Sequence, residues 1–378
     1  MHLKTFDTDT FLRDYWQKKP LLIRNPWDRW VNPVEPDELA GLACEDDAEA
    51  RLIEQTRASW KVEYGPFAEK RFAKLGKKPW TLLVQAVDHV VPDVAALIDP
   101  FRFIPNWRID DVMVSYASDG GGVGPHFDQY DVFLIQGLGK RRWRIGQACD
   151  EASALLPHDD LRLLAGFETV DEWVLEPGDI LYVPPGVAHD GVAVGDDCMT
   201  YSVGFRAPSR SELVAHWCDH VLGELAEDDR YGDAGLPVQA NPGEITPAAI
   251  TRLRAMITAA LCDEGRFAHW FGTWNSEPKY PERDWRPEAP VTLEEVRKAI
   301  TQGTAVERNP ASRFAFVRNG EGLTLFVDGE SFDAWDDAAR FVEAISGTSQ
   351  LVIDPAWSAD VLVKQLVDQG SLRFDYDD

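Results

Sequence analysis

Gly120-Gly121-Gly122-Val123-Gly124-Pro125-His126-Phe127-Asp128 and Gly178-Asp179-Ile180-Leu181-Tyr182-Val183-Pro184-Pro185-Gly186-Val187-Ala188-His189 are the two stretches on which the reading of this chain turns. Together they supply a His-x-Asp pair and one distant histidine, 63 residues after the first. Two imidazoles with a single carboxylate suit Fe(II), held on one face with the opposite positions open; three histidines would favour zinc, and an all-oxygen cage magnesium or calcium. In a strand, residues two apart project from the same face, so His126 and Asp128 are expected to reach one ion together with Phe127 turned away. The glycines ahead of His126 let the backbone bend close to the site. The turn Pro184-Pro185-Gly186 should set where the next strand begins and aim His189 back at the pair. An iron with open positions can take up a co-substrate and dioxygen, so the pattern points to an oxygenase.

A lone His-x-Asp is common by chance, but here it sits in G-x5-H-x-D, followed by G-x5-P-x-G-x2-H. The two segments resemble the paired cupin signatures in order and in ligand spacing. Between and around them, short apolar runs alternate with Gly, Pro and Asp turns from about residue 80 to 206. Strands are expected at Val112 to Ala117, Asp131 to Gln136, Arg141 to Ile145, Ile180 to Val183 and Met199 to Phe205. That alternation belongs to an antiparallel barrel or sandwich rather than to βαβ units. Upstream, residues 11–16 and 80–91 read as helices and 20–24 as a strand.

Lys140-Arg141-Arg142-Trp143-Arg144-Ile145 is the most basic stretch of an acidic chain. Strand alternation puts Arg141 on the face that carries Trp143 and Ile145, the face expected to be buried. An interior arginine needs an anionic partner. A ligand carboxylate held bidentately would serve, and 2-oxoglutarate fits, with its keto acid end on iron and its distal carboxylate on a fixed cation. Pairing of Arg141 with a protein carboxylate, Asp179 or Asp190, is the alternative.

Other histidines carry less. His216 and His220 share a helix face without H-E-x-x-H, and His158 lies in a loop with no partner to be named from sequence. The glycine run lacks the Lys-Ser/Thr of a phosphate loop. Five cysteines without a C-x-x-C fit reduced thiols in a cytoplasmic protein. The start, Met1 to Asp7, lacks the apolar core of a secretory signal, and no apolar run is long enough to span a bilayer. A net charge of −26 opposes direct nucleic-acid binding and suits a basic protein partner.

After Pro208 the character changes. Ser209-Arg210-Ser211-Glu212 is a capping box opening a helix, and a second helical run spans Pro247 to Leu261. An aromatic cluster follows (Phe267, Trp270, Phe271, Trp274). Beyond a proline-rich linker the order is helix 293–300, strands 314–318 and 324–327, helices 335–345 and 359–369, and strand 372–374. That order suits a winged-helix-like module, ending in the acidic tail Asp375-Tyr376-Asp377-Asp378.

Several runs together are identified with a known family: Trp107 to Asp111, Gly120 to Asp131, Gly139 to Arg144, Glu176 to Gly186 and Tyr201 to Pro208. They resemble the JmjC-type ribosomal oxygenases, over nearly the whole chain. The resemblance implies a mainly β fold with helices: a JmjC (cupin) double-stranded β-helix in residues 1–208, a helical dimerisation region in 209–276 and a winged-helix-like domain in 290–378. It implies Fe(II) held by His126, Asp128 and His189, and 2-oxoglutarate contacted by Arg141 and by Ser115 on a neighbouring strand. It further implies a homodimer that uses dioxygen to hydroxylate the β-carbon of an arginyl residue of the basic large-subunit ribosomal protein L-16. A histidyl or methyl-lysyl target, or a non-catalytic cupin assembly factor, are the alternatives. Phe127 departs from the leucine frequent in relatives, and the C-terminal third is more acidic than the pattern.

Overall fold

The computed structural model describes residues 3–4, 6–56, 59–76 and 78–376. Met1, His2 and Thr5 of the N-terminal stretch, and Asp377 and Asp378 of the acidic tail, lie outside the described residues. The chain divides into two compact units, residues 1–207 with 309–311, and residues 208–308 with 312–378.

The first unit is built on a nine-stranded sheet. Its strands are β1 (Leu21–Ile23), β2 (Ala50–Gln55), β3 (Trp60–Tyr64), β4 (Trp80–Val84), β5 (Ile109–Ala117), β6 (Asp131–Ala148), β7 (Asp171–Leu175), β8 (Ile180–Val183) and β9 (Val187–Phe205). They pair in the order β1-β8-β6-β9-β5-β4-β2-β3, with β7 added on β6. Short helices α1 (Thr8–Asp14), α2 (Pro36–Leu42) and α3 (Pro92–Ala95) complete the unit. The two long strands form its axis. β6 pairs with β9 antiparallel from Asp131↔Phe205 to Ala148↔Val187, and this ladder is broken where β9 bulges between Val194 and Met199. The runs expected at 131–136 and 141–145 are therefore two halves of one strand.

Residues 80–91 are not a helix. Trp80–Val84 is a central strand between β2 and β5, followed by a 3-10 turn at Val87–His89. Thr81 to Val84 are all buried, and a strand covered on both faces reads as an unbroken apolar run that periodicity cannot separate from a buried helix.

The core is aromatic. Phe11, delivered by α1, meets Tyr182 edge-on at 4.8 Å, and Phe133 stacks on Phe101 at 4.3 Å. Helix α1 begins where the Asp7 carboxylate caps the Thr10 amide. Beneath this cluster Asp131, fully buried, accepts hydrogen bonds from Arg108 Nη2 at 2.9 Å, Gln17 Nε2 at 3.0 Å and the Tyr182 hydroxyl at 2.6 Å. One carboxylate thus ties the N-terminal segment, the lead into β5, β6 and β8 together.

The second unit holds α4 (Arg210–Glu224), α5 (Pro247–Leu261) and α6 (Glu264–Ser276), then α7 (Leu293–Gln302), α8 (Asp336–Gly347) and α9 (Asp360–Asp368). The Ser209–Glu212 capping box that opens α4 is formed reciprocally. Strands β10 (Ala305–Arg308), β14 (Gln350–Val352) and β15 (Leu372–Phe374) make one small sheet, and β11 (Phe314–Asn319), β12 (Gly322–Val327) and β13 (Glu330–Ala334) another. Val296, Phe314, Leu325, Phe341, Val363 and Leu366 meet in its core.

Replacing Asp131 by alanine removes the carboxylate partner of the largely buried Arg108 guanidinium, leaving it the Arg206 carbonyl. Loss of one partner of such a pair costs about 3–5 kcal/mol, so Asp131→Ala is expected to lower the urea unfolding midpoint markedly, whereas substitution of Asp14, half-buried and paired with its neighbour Arg13 on the surface, should leave it near wild type.

Candidate metal centre

The first half of β9 leaves one edge free of β5, which pairs only with its second half. The Gly121–His126 segment occupies that edge through isolated bridges, Gly122 with Val192 and His126 with His189. The His126 amide donates to the His189 carbonyl at 3.1 Å, and the His189 amide to the His126 carbonyl at 2.8 Å. Two residues on, the Gly186 amide of the Pro-Pro-Gly turn donates to the Asp128 carbonyl at 2.7 Å. The two signature stretches are thus joined by their own backbones. His126 and Asp128 sit on a segment held by isolated bridges, not in a full strand as the sequence suggested.

Glycine is required at this contact. A Cβ on Gly122 would lie 2.5 Å from the Gly191 carbonyl oxygen, and Gly124 has φ +94 with a Cβ position 2.9 Å from the Leu163 side chain.

The backbone clasp converges three side chains. One donor atom from each of His126, Asp128 and His189 lies within 4.8 Å of the other two, and no other such group occurs among the described residues. His126 Nδ1 lies 2.8 Å from the Gly124 carbonyl, and His189 Nδ1 lies 3.0 Å from that of Val187. A carbonyl only accepts, so each Nδ1 carries its proton and each Nε2 presents a lone pair. Those Nε2 atoms stand 3.9 and 3.5 Å from Asp128 Oδ2. Burial, and next the neighbouring His126, push the His189 imidazole down to about 4. It is therefore neutral at physiological pH, the form that binds metal.

The triad opens into a cleft of about 230 Å³. Arg141 lines the same cleft and is buried with Trp143 and Ile145, the face expected from alternation. Its alternative protein partners are committed elsewhere: Asp179 pairs with Arg24 and Asp190 with Arg144. Arg141 Nη2 has no hydrogen-bond partner. A buried guanidinium N–H left open beside a 2-His-1-carboxylate set fits an anionic ligand that also reaches the metal. Ser115 lines the cleft as well, but β9 lies between its strand and that of Arg141; its hydroxyl points to the Thr200 carbonyl at 3.4 Å.

Sequence reading missed part of the wall. Asp110 and Asp111 at the start of β5, Met113, and Tyr130 just after the His-x-Asp segment also line the cleft. The adjacent carboxylates lay inside a quoted motif, but nothing local says that the head of β5 faces the metal side. His158 does have partners: its Nδ1 accepts from the amides of Asp160 and Leu161, and its Nε2 donates to the Trp60 carbonyl. His216 packs on Trp274, with ring centres 5.3 Å apart.

A JmjC-domain family model matches residues 96–213, and a ROXA-like winged-helix model matches residues 258–373. The ribosomal protein uL16 3-hydroxylase of Escherichia coli K12 is 40% identical over 87% of this chain and 86% of its own length. The chain belongs to the JmjC ribosomal oxygenases. A probable ribosomal oxygenase of Haemophilus influenzae is 47% identical over 54% of the chain and 51% of its own length. Among solved structures, that of E. coli YcfD superposes with a TM-score of 0.89 at 37% identity, covering 99% of this chain and 100% of that one. A YcfD ribosomal oxygenase complex with cobalt and 2-oxoglutarate gives a TM-score of 0.86 at 36% identity, covering 99% of both chains. The fold of this ribosomal oxygenase is accordingly the JmjC sheet followed by a winged helix.

Loss of a triad member should act on metal and co-substrate alike. Asp128→Ala is expected to abolish tight Mn(II) binding, measured calorimetrically, while Arg141→Ala keeps Mn(II) binding and raises the 2-oxoglutarate requirement at least tenfold. Unchanged 2-oxoglutarate dependence in Arg141→Ala would remove that residue from the site.

Proposed function

We propose that this ribosomal oxygenase hydroxylates the β-carbon, position 3, of an arginyl residue in large-subunit ribosomal protein L-16 (uL16), using Fe(II), 2-oxoglutarate and dioxygen. The observation that carries the reading is the single cleft lined at once by His126, Asp128 and His189, by Arg141 with its open Nη2, and by Asp110 beside Asp111, whose carboxylate also accepts from the Ala86 amide and Gln85 Nε2. Carboxylates suit a guanidinium, which binds them through paired N–H donors. The whole chain, at a net charge of −26, suits approach to a strongly basic ribosomal protein.

Iron and 2-oxoglutarate, when bound, supply the oxidation that places one oxygen atom of O2 on the substrate carbon and the other in succinate, with release of CO2. The remaining work falls to the chain. The two Nδ1–carbonyl contacts hold both imidazoles with Nε2 toward the ion. Arg141 anchors the distal carboxylate of the co-substrate, and Ser115 is the second contact proposed for it. The apolar wall of Val132, Leu134 and Trp143 keeps water from the reacting centre. The acidic wall orients the arginine so that its β-carbon, rather than the guanidinium, lies nearest the metal.

We also propose a homodimer through residues 209–276. Helix α5 buries none of its residues, and Ile250, Leu253 and Ile257 expose 46, 42 and 61% of their surface along one face. Spacings of three and four put them on one stripe, which a second copy would cover. No helix among the described residues is long and apolar enough to cross a membrane. A cytoplasmic location, with no direct contact to nucleic acid, follows from the proposed substrate and the charge.

Incubation with Fe(II), 2-oxoglutarate and peptides of ribosomal proteins should give a one-oxygen mass gain on an arginine of the L-16 peptide. Gain on a histidine or methylated lysine instead would overturn the substrate assignment. In sedimentation, truncation near Arg206 or Ile257→Asp should give monomers; dimers in both would place the contact elsewhere.

A further inference from the structure

The bulge in β9 aims one buried side chain at the co-substrate arginine. On β6 a single residue, Gly139, separates the paired positions Leu138 and Lys140; on β9 the matching positions, Met199 and Val194, are separated by residues 195–198. Gly139 has φ +58, and a Cβ there would lie 2.6 Å from the Asp197 carbonyl oxygen, so the bulge closes tightly over it. Bulges beside active sites commonly re-aim a side chain. This one turns Cys198 inward, fully buried between Ala117 and Ala193.

The Cys198 sulfur receives two donors. Arg141 Nε donates to it at 3.4 Å and Gln136 Nε2 at 3.6 Å. Gln136 is itself fixed, donating to the Leu138 carbonyl at 2.7 Å and accepting from the Thr200 hydroxyl at 3.2 Å. The Trp143 ring lies beside the guanidinium, with its centroid 5.7 Å from Cζ. Arg141 is therefore held at its Nε edge while Nη2 stays without a partner. An arginine fork binds a carboxylate well only when its plane is set in advance, because otherwise rotamer freedom must be lost on binding.

We infer that Cys198 is a positioning residue of this enzyme: its sulfur accepts the Arg141 Nε–H and sets the guanidinium plane for the distal carboxylate of 2-oxoglutarate. This rests on the reading of Arg141 as the co-substrate anchor. Cys198 is not among the residues that line the cleft. Its effect should fall on 2-oxoglutarate affinity and leave metal affinity alone.

The test is 2-oxoglutarate binding to the full-length Mn(II)-loaded protein under anaerobic conditions, followed by titration calorimetry. Cys198→Ser keeps an acceptor, whereas Cys198→Val fills the space without one. The dissociation constant should rise about tenfold in Cys198→Val and Cys198→Ala, a change typical of losing a hydrogen bond to a charged group. In Cys198→Ser it should stay within about threefold of wild type, and Mn(II) affinity should be unchanged in all three. In an Arg141→Lys background, which has no Nε–H to orient, Cys198→Val should have no further effect. Wild-type affinity in Cys198→Val, or full additivity with Arg141→Lys, would overturn the inference. If Arg141→Ala itself leaves 2-oxoglutarate affinity unchanged, the underlying reading of Arg141 fails instead.

Discussion

The reciprocal pair of backbone hydrogen bonds between His126 and His189 is the constraint on which the site depends. It fastens a glycine-led loop to the one stretch of β9 edge that β5 leaves open, and it does so at the two residues whose side chains must meet. The third bond, from Gly186 to Asp128, fixes the carboxylate's backbone against the turn that starts β9. Because these bonds are between main chains, they fix the backbones of the three residues relative to one another. Gly122 is what lets the two backbones come that close; a side chain there would meet the Gly191 carbonyl.

The same sheet supplies the second half of the chemistry. β6 runs beside β9 for its whole length, so Arg141 reaches the cleft from one partner of the ladder while His189 reaches it from the other. The arginines of β6 divide by face. Arg144 spends its charge on Asp190, whereas Arg141 enters the interior with an open N–H. A charge buried without an acidic partner is costly, and here the cost is offset only in part by sulfur and the indole ring. The remainder is what a ligand carboxylate can satisfy.

Much of this was legible in the chain. His126, Asp128 and His189 stand in spaced motifs that carry their meaning locally, and the burial of Arg141 follows from two-residue alternation with Trp143 and Ile145. Strand Ile180–Val183, helix Pro247–Leu261 and strand Leu372–Phe374 occur where their patterns put them. Residues 80–91 misled because a central strand covered on both faces has no alternation to show. Ser115 was expected on a strand next to that of Arg141, but β9 lies between them, since strand order in a sheet is not sequence order. Asp110, Asp111 and Tyr130 were visible as residues yet not as one wall.

The sequence by itself determined the donor set, the strand faces and the family, because each rests on residue type and short spacing. Only the tertiary structure decided which segments become neighbours. That His126 bridges His189, that Asp110 and Asp111 share a cleft with the triad, and that a bulge brings Cys198 to Arg141 all depend on pairing across long stretches of chain. Such pairing is selected by the packing of the whole sheet and by backbone hydrogen bonding, which every residue type offers alike and which therefore leaves little trace in the order of side chains.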